Sequence, residues 1–132
     1  PFYYREAPLN GIWEGSGNVI CLDILRTLAR EPLAVEALRA ELQGAMGADR
    51  RFDAALATHL DRWPALPDEA EARWFAERTA LLLSASILLR HAPSAVSDAF
   101  VATRIAGESG RITGAMAGTD VSAILERIAP AA

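Results

Sequence analysis

The chain contains no lysine, and all of its thirteen basic side chains are arginines. Seventeen acidic residues outnumber them, which gives a net charge of -4. A chain with this balance is poorly suited to bind a polyanion over its whole surface, although a local arginine patch would still suit phosphate groups. Cysteine is also nearly absent. The single Cys21 excludes an intramolecular disulfide and favours a reducing, cytoplasmic location.

Long hydrophobic runs are lacking as well. The longest strongly apolar run, from 79 to 89, is far shorter than the roughly 20 residues that a membrane-spanning helix needs, so we predict no membrane insertion. No basic-then-apolar secretory leader opens the chain. Because the first residue is Pro1 and not methionine, we expect the sequence to be a fragment that lacks its N-terminal portion.

Histidine is scarce, which bears on metal binding. His59 and His91 lie far apart, and no cysteine or acidic pair accompanies them at metal-ligand spacing, so the sequence predicts no metal site. His59 falls on an apolar stripe and is expected to be a hydrogen-bonded core histidine.

What the sequence does contain is helical periodicity, interrupted by glycine and proline. Apolar residues recur at three- and four-residue spacing in six segments, approximately 18–30, 32–44, 49–63, 67–91, 94–106 and 119–128. Thr119 is the expected N-cap of the last segment. No segment shows the strict alternation of a strand. We therefore predict an all-α bundle of five to six helices, with residues 1–17 as an irregular N-terminal arm and residues 18–132 as a C-terminal helical domain.

Arginine pairs are the first candidate binding feature. Arg26 and Arg30 lie one turn apart, Arg50 and Arg51 are adjacent, and a glycine-containing turn separates Arg104 from Arg111. If they cluster in space, such side chains could bind phosphates. The alternative, which the excess of acids favours, is that they form solvated ion pairs.

The second candidate is Glu14, in the stretch IWEGSGNVICLD at 12–23. A carboxylate beside Trp13 can sit in an apolar setting that raises its pKa toward the range of a general base. Gly15 and Gly17 would let the backbone approach a flat ligand closely. A turn glutamate that simply caps the following helix is the simpler alternative.

The surrounding segment, YREAPLNGIWEGSGNVICLDILR at 4–26, resembles the C-terminal signature of the flavin-dependent acyl-CoA dehydrogenases. In that signature an arginine precedes, by nine positions, the glutamate of an Ile-aromatic-Glu-Gly-Thr/Ser run. Here the two residues are Arg5 and Glu14. The residues around Glu14 are most similar to those of the AidB-like branch, which is associated with the response to DNA alkylation. The long helical extension after the motif also suits that branch.

The resemblance implies roles for individual residues. Glu14 falls on the family's catalytic base, which removes the α-proton of an acyl-CoA thioester while a hydride passes from the β-carbon to the flavin. Gly15 and Ser16 fall where the family's Gly-Thr pair lies against FAD, and Asn18 falls near a polar residue that reaches the adenylate portion. The family holds FAD and acyl-CoA with further domains, so the resemblance implies that FAD binds the intact parent protein and that the isolated chain is inactive and binds no FAD.

Partners follow from the same resemblance. The helical extension of the AidB-like branch has been linked to double-stranded DNA binding and to oligomer packing. For this acidic chain, Arg26 is the candidate DNA-binding residue, because it lies inside the matched segment. The chain is also expected to form a homo-oligomer, with Trp63 or Trp74 in its interface. A DNA-binding or oligomerisation module therefore stays open as the alternative to a dehydrogenase fragment.

Overall fold

The computed structural model describes residues 5–11, 17–112 and 114–128. Within these ranges the all-α prediction is confirmed, because six α-helices are present and the only extended pairing there is an isolated bridge between Ser109 and Met116. The helices are α1 (Gly17–Arg30), α2 (Pro32–Gln43), α3 (Arg50–Arg62), α4 (Ala72–His91), α5 (Ser94–Phe100) and α6 (Val121–Ile128). Short 3-10 turns cover Ala7–Gly11 and Glu69–Glu71, and α5 continues as a π-helical turn, Val101–Ile105.

Local sequence signals set the ends of α2 and α3. Pro32 begins α2, where a proline costs no hydrogen bond because the first N–H groups of a helix have no partner within it. Asp49 is the N-cap of α3, and its carboxylate accepts hydrogen bonds from the backbone N–H groups of Arg51 and Phe52. Gly47 has a φ of 84°, a left-handed conformation that favours glycine, and so lets the chain turn between the two helices.

Two helix starts differ from the sequence prediction. The α-helical part of the fourth segment begins at Ala72, later than expected, because Glu71 is tied back to the end of α3 through Arg62 and Trp63. The predicted cap of α6, Thr119, is wrong by one residue. Asp120 directly precedes the helix, and its carboxylate accepts the backbone N–H of Ala123 at 3.0 Å.

The main hydrophobic core surrounds α4, which packs against α2, α3 and the π-helical turn. Polar contacts also join α4 to α2: the buried Ser86 hydroxyl donates to the carbonyl oxygen of Glu41 at 2.6 Å, and Arg90 forms an ion pair with the Glu41 carboxylate. The central helix is therefore held by both apolar and polar contacts. The core side chains are Leu42, Ala45, Phe52, Leu56, Leu82, Ala85, Val101 and Ile105.

A second, smaller core holds α1 against the rest of the bundle. Leu25 of α1 packs with Trp63, Ala72 and Phe75. Most of the remaining apolar side chains of α1 are only partly buried or exposed. The helix that follows the Glu14 motif thus packs against α4 and also contacts α2, with Leu25 as its one buried residue.

Candidate functional site

The predicted catalytic segment meets the described structure at the first turn of α1. Glu14, Gly15 and Ser16 lie outside the described residues, whereas α1 begins at Gly17, directly after them. Asn18 is exposed in this first turn, and its Oδ1 accepts a hydrogen bond from Nε of Arg73 at 3.3 Å. Asn18 therefore links the start of α1 to α4.

The start of α1 has features that suit an anionic or carbonyl oxygen. The first four N–H groups of a helix have no partner within it, and the helix dipole places partial positive charge there. No acidic residue occupies the first turn of α1. A Cβ atom built on Gly17 would meet no described atom within 4 Å, so the approach to this end is open on the described side.

Arg26, the candidate DNA-binding residue, is engaged by an acid. Its guanidinium forms an ion pair with Asp23 at 2.9 Å, and both side chains are more than half exposed. Exposed pairs of this kind contribute little to stability, but the nearby carboxylate offsets the charge that a phosphate would meet. The described geometry thus gives no support to Arg26 as a phosphate contact.

Of the other arginine pairs, one includes an arginine in ion pairs and the other lines a cavity. Arg51 lies between Asp49 and Asp98, at 2.7 and 2.5 Å, and its hydrogen bonds to these carboxylates raise its already high pKa further. The ion-pair interpretation is confirmed there. Arg104 and Arg111 instead line a common cavity of about 220 Å³ on the loop that follows the π-helical turn.

His59 is in the core as predicted, but the hydrogen bond expected of its side chain is not found at Nδ1. This atom is buried and has no hydrogen-bond partner among the described residues. The imidazole ring stacks on Phe75 at 5.4 Å and meets Trp63 edge-on at 5.0 Å. Burial, and secondarily the positive charge of Arg78, lower the pKa of His59, so the neutral form is favoured.

An aromatic and charged cluster next to His59 was not foreseen from the sequence. Nε1 of the buried Trp63 donates to Glu71, and Arg62 also donates to that carboxylate. The Arg62 guanidinium lies 3.8 Å from the ring centroid of Trp74, a cation–π arrangement. The acids that precede α4 in the sequence indicated that ion pairs could form here. That Glu71 pairs with Arg62 and Trp63 at the end of α3 follows only from the tertiary fold.

The two tryptophans that were expected in a subunit interface differ in solvent exposure. Trp63 is 8% exposed and packs in the second core, so little of its side chain is available to a subunit interface. Trp74 is 51% exposed and keeps one ring face on Arg62. Of the two, Trp74 alone has the surface area that an interface needs.

The described residues were expected to hold no metal ion and to contain no membrane-spanning helix. No group of three or more histidine, cysteine, aspartate or glutamate side chains in the described ranges is arranged to hold a metal ion. Nor does any helix described here have the length and apolar character needed to cross a membrane.

Comparison with known proteins identifies the relationship of the chain. No family model matches it. The sequence is a relative of the acyl-CoA dehydrogenases, which confirms the AidB-like resemblance of the motif. The similarity is to the Escherichia coli protein named "Putative acyl-CoA dehydrogenase AidB", with 35% identity over 100 residues. The match covers 76% of this chain and 18% of the length of that protein.

Proposed function

We propose that this chain is the C-terminal part of an AidB-like flavoprotein that dehydrogenates an acyl-CoA thioester between its α- and β-carbons. The observation that carries the proposal is the 35% identity to AidB over 100 residues. The nine-residue spacing of Arg5 and Glu14, in a segment that resembles the family's signature, is consistent with it.

Glu14 is the proposed catalytic base. The α-proton of a thioester is weakly acidic, so its removal needs a carboxylate held close to the carbon and away from bulk water. The residue that precedes Glu14 in the sequence, Trp13, is apolar and suits such a setting. In this role Glu14 takes the α-proton, and bound FAD would supply the acceptor for the β-hydride.

Gly15, Ser16 and Asn18 are the proposed FAD-binding residues. The described end of this segment fits a dinucleotide, because the first N–H groups of a helix have no partner within it, α1 has no acid in its first turn and Asn18 is exposed. The hydrogen bond from Arg73 leaves the Asn18 amide nitrogen to act as a donor while it orients the side chain.

The surface of α1 supports the view that the chain works within a larger protein. Val19 and Ile20 are exposed, and the adjacent cavity of about 480 Å³ is lined mainly by aliphatic side chains of α1, α2 and α4. Exposed apolar surface beside an open apolar cavity is typical of a face that another part of a protein covers. We infer that the chain alone cannot enclose FAD and acyl-CoA and is inactive.

The test is to purify the 132-residue chain, incubate it with FAD, remove unbound flavin and assay turnover of an acyl-CoA with an artificial electron acceptor. A helical circular dichroism spectrum serves as the control that the chain is folded. We expect no retained flavin absorbance and no turnover. Stoichiometric FAD together with dehydrogenase activity would overturn the claim that the isolated chain is inactive.

The alternative function is a DNA-binding or oligomerisation module that retains the old catalytic motif. Its specific candidate contact is Arg26, whose side chain is exposed although it is paired with Asp23. Salt-dependent retention of duplex DNA that is lost in Arg26→Ala would favour a DNA-binding module, whereas no binding at low salt would exclude DNA binding and leave only the oligomerisation module. In either case the single Cys21 fits a cytoplasmic setting.

A further inference from the structure

Two arginines line the small cavity on the loop that follows the π-helical turn. Arg104 belongs to that turn, Val101–Ile105, and Arg111 belongs to the loop. Both residues are exposed, and neither forms an ion pair with any residue that the structure describes. Arg26 and Arg51, by contrast, are paired with carboxylates. The donors of Arg104 and Arg111 are therefore available to an anionic ligand.

The main core holds the backbone beneath Arg104. Val101 and Ile105, the first and last residues of the π-helical turn, are buried in that core, and Thr103 Oγ1 donates to the carbonyl oxygen of Ala99 at 2.7 Å. Arg104 is the exposed residue of the turn. Single π-helical turns are rare and occur frequently at functional sites. The first arginine of the cavity is thus presented from a packed support.

The loop that carries Arg111 folds back on itself beside this turn. The backbone N–H of Gly110 donates to the carbonyl oxygen of Ala115 at 2.7 Å. A Cβ atom built on Gly110 would lie 2.8 Å from that of Ala115, too close for two such atoms, so this approach requires glycine. The Ser109 hydroxyl donates to the carbonyl oxygen of Thr103 at 3.4 Å, which joins the loop to the π-helical turn.

The cavity suits a small anion in both size and charge. It encloses about 220 Å³, which is below the roughly 300–1,000 Å³ of sites for drug-sized ligands. The two guanidinium groups match a phosphomonoester, which carries a charge of about −1.5 to −2 near neutral pH and has three acceptor oxygens. Ile112 and Met116 also line the cavity and offer apolar contact to a short organic group.

The surroundings of the cavity favour a small ligand over a nucleic acid. A duplex presents a row of singly charged phosphodiesters, so its binding needs positive charge that extends along the protein surface. Here the acid Glu108 lies between Arg104 and Arg111 in the sequence, although it does not line the cavity, and the whole chain has a net charge of -4. Two arginines around one small cavity fit a single terminal phosphate better.

We propose that Arg104 and Arg111 bind the phosphate of a small phosphomonoester, with Ile112 and Met116 against its organic group. The site is built from the π-helical turn and the loop after it, whereas the proposed FAD-binding residues precede or begin α1. It therefore goes beyond the proposed dehydrogenase function and does not depend on it.

NMR titration of the isotope-labelled chain with ethyl phosphate tests the site, near pH 7.5 and at constant ionic strength, where the monoester is mostly doubly charged. Saturable shifts should appear at Arg104, Gly110 and Arg111. Arg104→Gln and Arg111→Gln should each weaken binding by about tenfold or more, because each removes a charged donor. Arg30→Gln is the matched control, since Arg30 is exposed and unpaired among the described residues, and it should bind like the wild type.

Gly110→Ala keeps both arginines but should also weaken binding, because its new Cβ atom must push the loop away from Ala115. Circular dichroism spectra confirm that each variant is folded. Wild-type affinity in both arginine variants, or no saturable binding of ethyl phosphate to the wild type, would overturn the proposal. So would wild-type affinity in Gly110→Ala, since the site requires the folded-back loop.

Three further ligands identify the chemistry that the site recognises. Diethyl phosphate, a singly charged diester, should bind at least about tenfold more weakly than ethyl phosphate. Inorganic phosphate should bind no more tightly than ethyl phosphate, because it lacks the group that contacts Ile112 and Met116. Equal binding of the diester, tighter binding of inorganic phosphate, or displacement of ethyl phosphate by a duplex oligonucleotide through the same arginines would each contradict a phosphomonoester site.

Discussion

Nε1 of Trp63 donates a hydrogen bond to the Glu71 carboxylate at 3.0 Å, and this contact joins the end of α3 to the turn before α4. Arg62 donates to the same carboxylate, so one acid satisfies a buried indole and an exposed guanidinium. Both hydrogen bonds favour the ionised acid and lower the pKa of Glu71 below its ordinary value.

Removing this acid should destabilise the fold in a pH-dependent way. We expect Glu71→Gln to lower the melting temperature near neutral pH, because a neutral amide is a weaker acceptor for Trp63 and Arg62. A lowered carboxylate pKa means that its stabilising effect is present above the ordinary pKa and is lost as the pH falls through the lowered value. The difference between Glu71→Gln and the wild type should therefore shrink in acid.

Thermal melts followed by circular dichroism at several pH values provide the measurement. Glu69→Gln is the matched control, since Glu69 is an exposed acid in the same turn without a hydrogen bond to α3 among the described contacts. A melting temperature unchanged by Glu71→Gln at neutral pH would contradict the assigned role.

His59 should make the folded chain sensitive to mild acid. Its pKa is lowered in the fold, so below the ordinary value of 6.5 the unfolded chain binds a proton that the folded chain does not. The free energy of unfolding should consequently fall as the pH drops through this value toward the lowered pKa. His59→Phe, which keeps an aromatic ring beside Phe75, should reduce this loss.

Urea unfolding at about pH 7 and about pH 5 measures this effect. His91→Gln removes an exposed histidine at the end of α4 and serves as the control. An equal loss of stability between the two pH values in the wild type and in His59→Phe would show that another group is responsible.

Leu82 tests the assignment of α4 as the central helix. Its side chain is fully buried in the main core, so Leu82→Ala should lower the free energy of unfolding by about 2–5 kcal/mol. Leu33→Ala, at a mostly exposed position of α2, should change it by less than about 0.5 kcal/mol. Chemical denaturation of the two variants makes the comparison, and equal effects would contradict the described core.

The contrast between predicted and observed features has a physical pattern. The helices and most of their ends followed from local signals, such as Pro32 at the start of α2 and the start of the third segment near Asp49, because these signals act over a few residues. The late start of α4 did not, since it depends on contacts of Glu71 with another helix. The cap of α6 was missed by one position because both Thr119 and Asp120 are good cap residues.

In the candidate site, too, features set by nearby residues could be predicted from the sequence, whereas contacts between distant residues could not. The importance of Glu14 rests on a sequence motif, and the position of Asn18 in the first turn of a helix follows from the glycines before it. The hydrogen bond between Asn18 and Arg73 joins residues that are far apart in sequence. By contrast, Asp23 and Arg26 lie at i and i+3 of α1, so their pairing could have been predicted from local spacing, and it weakens the case for DNA contact.

The most direct test of the proposed function is the reduction of bound flavin by an acyl-CoA thioester in the intact protein proposed above, measured by stopped-flow absorbance. Wild type, Glu14→Gln and the control Glu6→Gln, which changes an exposed acid next to Arg5 in the same segment, should all retain flavin. We predict that Glu14→Gln slows flavin reduction by about 10²–10⁴-fold and that Glu6→Gln leaves it unchanged, because only Glu14 takes the α-proton. Flavin reduction at the wild-type rate in Glu14→Gln would contradict the account.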